Sequence, residues 1–297
     1  MRHGFLLINK PAGITSHDAV AIVRRTLPEK HVGHLGTLDP AATGLLVLAV
    51  GAKALKVIEL FNNLSKEYEA GVHFGHVSTT YDAEGVLEET AMKPGWVIPD
   101  ESTIRNIIAD RFLGRIKQVP PAHSAVHVGG ERAYRKARQG LSVDIPAREV
   151  LVSACDVLSY NYPDLQLRIA CGSGTYIRSL AHDLGQFVKV GAYISSLKRT
   201  KVGLPTVVSS GARAKAGDWS VEHAVAPDAV KWAHVLPLKD VMSSFPALVL
   251  TDEEMRDIGF GRSLAKEIQE TTIAWHQELP VAILEPKEGM AHPRKVF

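Results

Sequence analysis

The order of apolar and polar positions divides the chain into segments whose period switches between that of a strand and that of a helix. FLLINKPAGITSHDAVAIVRR, residues 5–25, opens as a strand and turns at the Pro-Ala-Gly. Ala19, Val20 and Val23 then follow at helical spacing, with Thr15 or Ser16 suited to the N-cap. GLLVLAVGAKALKVIELF starts as an unbroken apolar run, the mark of a buried strand. It passes into helical periodicity through Ala54, Leu55, Ile58 and Leu60. KEYEAGVHFG alternates and predicts a strand. Residues 102–112 predict a helix, and DLQLRIACGSGTYIRSLAHDLG predicts strand, glycine turn and helix. No repeat or low-complexity tract interrupts this order.

A composition shift follows residue 205. GARAKAGDWSVEHAVAPDAVKWAH is rich in alanine and predicts helical stretches, after which the tail consists of short apolar runs and turns. The 297 residues suit one main domain with a smaller appendage. A boundary near residue 240 leaves a tail too small for a large core of its own. An apolar fraction of 45% with 22% charged residues describes an ordinary globular protein. No apolar run reaches the roughly 18 residues of a membrane span, and the N-terminal apolar patch is too short for a secretory signal. Cys155 and Cys171 have no metal-ligand or CxxC spacing, which points to a reducing, cytoplasmic setting.

Net charge is only +2, but it is unevenly spread. Residues 1–60 hold seven Lys/Arg against four Asp/Glu, and residues 111–210 hold fourteen against six. Residues 61–110 hold three against nine, and residues 211–297 ten against thirteen. If the two basic segments share a face, that face attracts a polyanion; otherwise they are solvated surface.

Five stretches carry candidate chemistry. In HVGHLGTLDPAATG, Asp39 sits between Leu38 and Pro40, with Gly33 and Gly36 around His34. Asp before Pro is a helix N-cap motif, and AATG could form one helical turn. A lone carboxylate can instead do covalent or acid–base work, given a cation and a dry pocket. In SKEYEAGVHFG, Lys66 and Tyr68 share a strand face. Tyr68 is either packing or a ring that stacks on a base. A polar turn, TTYDAEG with Asp82, comes next. In CGSGTYIRSL, Tyr176 and Arg178 open a helix, where the macrodipole favours anions; Arg178 therefore needs another reason, such as a buried carboxylate. GRIKQVPPAHSAVHVGGERAYRKARQG holds Arg132, Arg135, Lys136 and Arg138 beside Tyr134, either a phosphate-binding arm or a solvated helix. GAYISSLKRTKVG combines Leu197 with Lys198, Arg199 and Lys201.

Taken together and in this order, INKPAGITSHD, GHLGTLDPAATG, KEY, QVPPAHSAVHVGGERAY, CGSGTYIRSL and GAYISSLKRTKVG resemble the TruB family of tRNA pseudouridine synthases. The tail around FPALVL and HPRKVF resembles, more weakly, that family's small RNA-binding domain of the PUA kind. The resemblance implies isomerisation of uridine 55 in the T loop of tRNA. It implies that Asp39 is the essential aspartate, Tyr68 the stacking tyrosine and Arg178 the arginine paired with Asp39. Leu197 then lies beneath the base, and His34 engages the T loop. Lys66, Lys10, Tyr176, Arg132 and Arg135 are expected as further substrate contacts. Leu35, His127 and Ser173 depart from the family pattern, the last two where lysines are common, which lowers the expected phosphate contacts.

The expected fold is α+β, with a mixed, largely antiparallel central sheet of the pseudouridine synthase type and a small C-terminal PUA-like β domain. Residues 1–240 form the catalytic domain, with an RNA-binding insertion near 115–145 that is mobile without RNA, and residues 241–297 the small domain. No cofactor or metal is expected. The partner is the tRNA T stem-loop, with no membrane and no required protein, for a monomer in the cytoplasm. Two rival readings are a guide-dependent ribosomal RNA enzyme of the dyskerin type and a non-catalytic tRNA-folding chaperone.

Overall fold

A computed structural model describes residues 3–61, 63–124, 126–128, 130–140, 143–203, 219–243 and 245–297. It divides into two compact units. One comprises Met1–Asp39, Gly44–Leu64 and Val207–Phe297; the other comprises Pro40–Thr43 and Ser65–Thr206. Both are built on largely antiparallel sheet with helices, so the fold is α+β.

In the first unit the strand Gly4–Lys10 pairs antiparallel with Thr43–Val50, from Gly4 opposite Val50 to Lys10 opposite Gly44. Val32–Leu35 pairs with residues 47–50, and Leu236–Pro237 with Gly4 and Phe5. Residues 45–50 are completely buried, as their unbroken apolar run requires. Phe5, Phe61 and Trp219 gather beneath them, with ring centroids 4.7 to 5.8 Å apart. The helix Ser16–Thr26 is started by a capping box in which Thr15 and Asp18 satisfy each other's backbone N–H groups. It buries Ala19, Val20 and Val23, the face marked by their spacing.

The tail of this unit has more order than its short apolar runs suggested. Ala247–Val249, Thr272–His276, Leu279–Lys287 and Met290–Val296 form a four-stranded sheet in that order, the first pairing parallel and the others antiparallel. The helix Asp252–Gly259 covers it, and Leu250, Ile258, Leu264, Ala274, Ala282, Leu284 and Ala291 make a local core. Residues 211–218 of the alanine-rich stretch lie outside the described residues. Its remainder forms the two-residue strand Trp219–Ser220 and two short 3-10 turns, Val221–His223 and Trp232–His234. Pro227 lacks an N–H and biases Ala226 away from helix, which outweighs alanine's propensity there.

In the second unit five antiparallel strands lie in the order Ala192–Val202, Lys66–Phe74, Asp164–Cys171, Arg148–Asn161 and Gly114–Gln118. The helix Ile177–Val188 follows the third of these and packs on Ala192–Val202. Gly185 permits that closeness, because a Cβ there would meet the Ala192 nitrogen at 2.2 Å. The helix Glu101–Arg111 is capped by Asp100. His76–Ser78 and Leu87–Glu89 form a two-stranded ribbon, closed by the turn that holds Asp82. Residues His127–Val128 and Glu131–Arg132 pair before the short helix Ala133–Arg138.

Candidate active site

Asp39 lies in the loop that leaves the strand Val32–Leu35. Gly36 begins this loop at φ 79, a conformation glycine adopts without steric cost. The loop is fastened one residue before the acid. Ser16 Oγ accepts the Leu38 N–H at 2.9 Å and donates to the Leu38 carbonyl at 3.1 Å. Ser16 and Leu38 are both buried, so one hydroxyl satisfies both main-chain groups of a residue that has no access to water. The backbone carrying half-buried Asp39 is thereby fixed to the start of the capped helix. The helical turn that AATG could have formed is not present. Residues 40 and 41 form bends and the strand begins at Thr43, since so short a stretch cannot nucleate a helix before the apolar run enters the sheet.

The same unit holds two more expected residues. His34 is half-buried on Val32–Leu35, with His17 edge-on at 5.4 Å between ring centroids. Lys10, expected to contact RNA, is completely buried; its ammonium donates to the carbonyls of Pro11 at 2.8 Å and Ile14 at 2.7 Å. Its position is that of a brace inside the turn leading to the Thr15 cap.

In the second unit, register sets the chemistry. Residues opposite one another on antiparallel strands share a face. Tyr68 is opposite Ile169 on one side and Arg199 on the other, Ala70 is opposite Leu197, and Lys66 is opposite Cys171 and Val202. One face therefore carries Lys66, Tyr68, Leu197 and Arg199. Tyr68 is buried, Leu197 half-buried, and Arg199 only 1% exposed. Burial, and then repulsion from Arg199, brings the Lys66 ammonium down to about 8. Burial pushes the Cys171 thiol up to about 11, so it is not a nucleophile at neutral pH.

Tyr176 and Arg178 stand at the head of the helix Ile177–Val188. The side-chain amide of Gln118 accepts the Tyr176 N–H at 2.8 Å and donates to its carbonyl at 3.0 Å. The Arg148 guanidinium lies 4.9 Å from the centre of the Tyr176 ring. Arg178 is 5% exposed. Its guanidinium donates to the carbonyls of Thr80 at 2.8 Å and His123 at 3.0 Å, and meets the Asp82 carboxylate at 3.4 Å. A buried cation is thus held in one orientation by three separate acceptors. Arg135 is exposed on Ala133–Arg138, and Arg132 lies opposite His127.

Lys66, Tyr68 and Leu197 are brought together on one face, Tyr176 and Arg178 on one helix terminus, and Lys10, His34 and Asp39 in the other unit. Arg199, Asp82, Gln118 and Ser16 were not among the expected site residues. Strand alternation through Leu197 is a signal that could have found Arg199. Nothing in the sequence marks Gln118 or Ser16 as clamps. Among the described residues, no group of three or more His, Cys, Asp or Glu side chains is suited to hold a metal ion. No helix among them is long and apolar enough to cross a membrane.

Comparison with known proteins gives this geometry its context. A chain of a Cbf5-Nop10-Gar1 complex superposes with a TM-score of 0.66 at 22% identity, covering 99% of this chain and 84% of that one. A chain of an H/ACA RNP bound to a substrate RNA containing 2'-deoxyuridine gives 0.64 at 23%, with the same coverage. At such identities the likeness speaks for the fold, which this chain shares with them. Residues 24–177 match the family described as TruB family pseudouridylate synthase, N terminal domain. Proteins named tRNA pseudouridine synthase B from Streptococcus pyogenes serotypes M3 and M1 are 37% identical over 100% of this chain and of their own. The chain belongs to the TruB family of pseudouridylate synthases.

Proposed function

We propose that the chain is a tRNA pseudouridine synthase that isomerises uridine 55, in the T loop of tRNA, to pseudouridine. The observation that carries this reading is the 37% identity, over the whole of both chains, to streptococcal tRNA pseudouridine synthase B. Local geometry supports it: a carboxylate on a clamped loop, a buried and immobilised guanidinium, and a buried tyrosine on the strand face that also carries Lys66, Leu197 and Arg199.

The target base is stacked within a folded loop, so it must be turned out before it reacts. Unstacking is offset by stacking on Tyr68 and by contacts from His34, Lys66, Tyr176, Arg132 and Arg135. Asp39 acts at the ribose, by attack on C1′ or by removing a ribose proton. The C1′–N1 bond breaks, uracil turns in place, and a C1′–C5 bond forms as, on the first route, the Asp39–C1′ bond breaks or, on the second, the ribose proton is returned. C5 then gives up its proton, a step Tyr68 assists, and N1 gains one. Atoms balance and no electrons are exchanged, so the reading calls for neither metal nor cofactor. Arg178 pairs with Asp39 and favours its charged form. Leu197 and the apolar strand from Leu45 exclude water that would intercept the intermediate. Lys10 serves by holding the turn before the Thr15 cap.

In this reading residues 1–240 carry catalysis, residues 115–145 order on RNA, and residues 241–297 form a PUA-like RNA-binding domain. That last segment has six Lys/Arg against nine Asp/Glu, a net charge of −3 (6 − 9). Its contribution therefore comes from shape and base contacts more than from phosphate attraction. The partner is the T stem-loop, with no obligatory protein subunit, and the chain works as a cytoplasmic monomer. The test is incubation of an unmodified tRNA transcript with the chain, followed by mapping of pseudouridine. Conversion at nucleotide 55 without added guide RNA is expected. Dependence on a guide RNA, or refolding of tRNA without conversion, would replace this reading by one of its rivals.

A further inference from the structure

The turn at residues 79–82 supplies two acceptors of Arg178, Thr80 and Asp82, and the residue between them is unusual. Tyr81 has φ 63, the left-handed region that a bulky side chain enters only when its surroundings hold it there. Its backbone is held at both ends: the N–H donates to Ser78 at 3.1 Å, and the carbonyl accepts the Ile194 N–H at 3.0 Å. Its ring lies flat on His182, with centroids 3.9 Å apart and planes 11° from parallel. His182 is four residues after Arg178, on the same face of the helix Ile177–Val188. Two successive turns of one helix therefore grip three successive residues of one turn.

We propose that His182 and Tyr81 are positioning residues for Arg178. Their stack locks the left-handed turn so that the Thr80 carbonyl and the Asp82 carboxylate hold the guanidinium in its working orientation. The histidine acts here as a flat surface and not as a proton carrier. Burial lowers its pKa and keeps it neutral, and its Nδ1 finds no hydrogen-bond partner among the described residues. A neutral ring stacks on tyrosine without bringing a second buried cation one helical turn from Arg178.

This inference rests on the proposed isomerase reading and deepens it. The test uses the full chain and an unmodified tRNA transcript, with single-turnover pseudouridine formation and filter binding measured side by side. His182→Leu and Tyr81→Leu should each lower the turnover rate about tenfold while tRNA affinity stays within about twofold. His182→Phe, which keeps a flat ring, should recover most of the rate. The double Leu variant should lose no more than either single one, because both remove the same contact. Thermal melting identifies any variant that has lost its fold; the Phe and double variants then carry the decision. Equal rates for His182→Leu and wild type, equal loss in the Phe and Leu variants, or additive loss in the double variant would overturn the inference. Absence of pseudouridine with wild type would instead count against the isomerase reading itself.

Discussion

Replacing Lys66 with methionine should make the protein more stable and its grip on tRNA weaker. The ammonium is largely buried on the Tyr68 face, and burial together with Arg199 lowers its pKa from 10.5 to about 8. A fall of about 2.5, at 1.36 kcal/mol for each pKa step, is roughly 3 kcal/mol of cost to the charged form. That cost is present in full below pH 8, where the folded protein must carry the buried charge. It fades as pH rises from 8 towards 10.5, where folded and unfolded chains both come to hold a neutral amine. Methionine keeps the apolar stem and removes the charge. Allowing about 1 kcal/mol for the polar contacts given up, the net gain at pH 7 is about 2 kcal/mol. Thermal melting of wild type and Lys66→Met at pH 7 and pH 10 reads this as roughly 3 to 6 °C at the lower pH and almost nothing at the higher. Filter binding of tRNA by the same variant should weaken, as expected of a residue retained for substrate at the expense of stability. A variant no more stable than wild type at pH 7, or a gain undiminished at pH 10, would refute the argument that desolvation governs this site.

Ser16→Ala removes both hydrogen bonds to buried Leu38. It should cost about 2 kcal/mol in denaturant unfolding and lower single-turnover pseudouridine formation about tenfold, with little change in tRNA affinity. Asp183, raised to about 6 by burial, makes the opposite test of sign to Lys66. Its protonated form favours the fold at low pH, and that contribution is lost as pH climbs towards 6. Asp183→Asn should therefore stabilise the fold at pH 8 by about 1 kcal/mol after allowing for solvent screening, read as a higher melting temperature, and leave the melting temperature nearly unchanged at pH 4.

Where a single segment contains its own signal, the sequence was readable. Thr15 and Asp18 announce the start of their helix, the alternation of KEYEAGVHFG sets the Tyr68 strand, and the 45–50 run is buried on every side. The motif order also carried the family. What it could not carry was register. Leu197-Lys198-Arg199-Thr200-Lys201 reads as a basic run until the pairing with Tyr68 shows Arg199 sealed within the sheet. Asp82 looks like one more polar turn residue until Arg178, nearly a hundred positions later, meets it. Nothing next to Lys10 in the sequence marks it as buried; only the turn that folds over its ammonium does. In the tail, each apolar run is too short to declare itself, and only four of them paired build the sheet and its small core.

The proposed chemistry requires the Asp39 carboxylate, and not merely a polar side chain of that size. Asparagine has the same shape and no charge. The decisive measurement is single-turnover conversion of uridine 55 in an unmodified tRNA transcript by wild type and by Asp39→Asn, with tRNA binding measured in parallel. Binding close to wild type and no detectable pseudouridine are expected with the asparagine variant. Conversion at a rate near wild type would contradict that requirement.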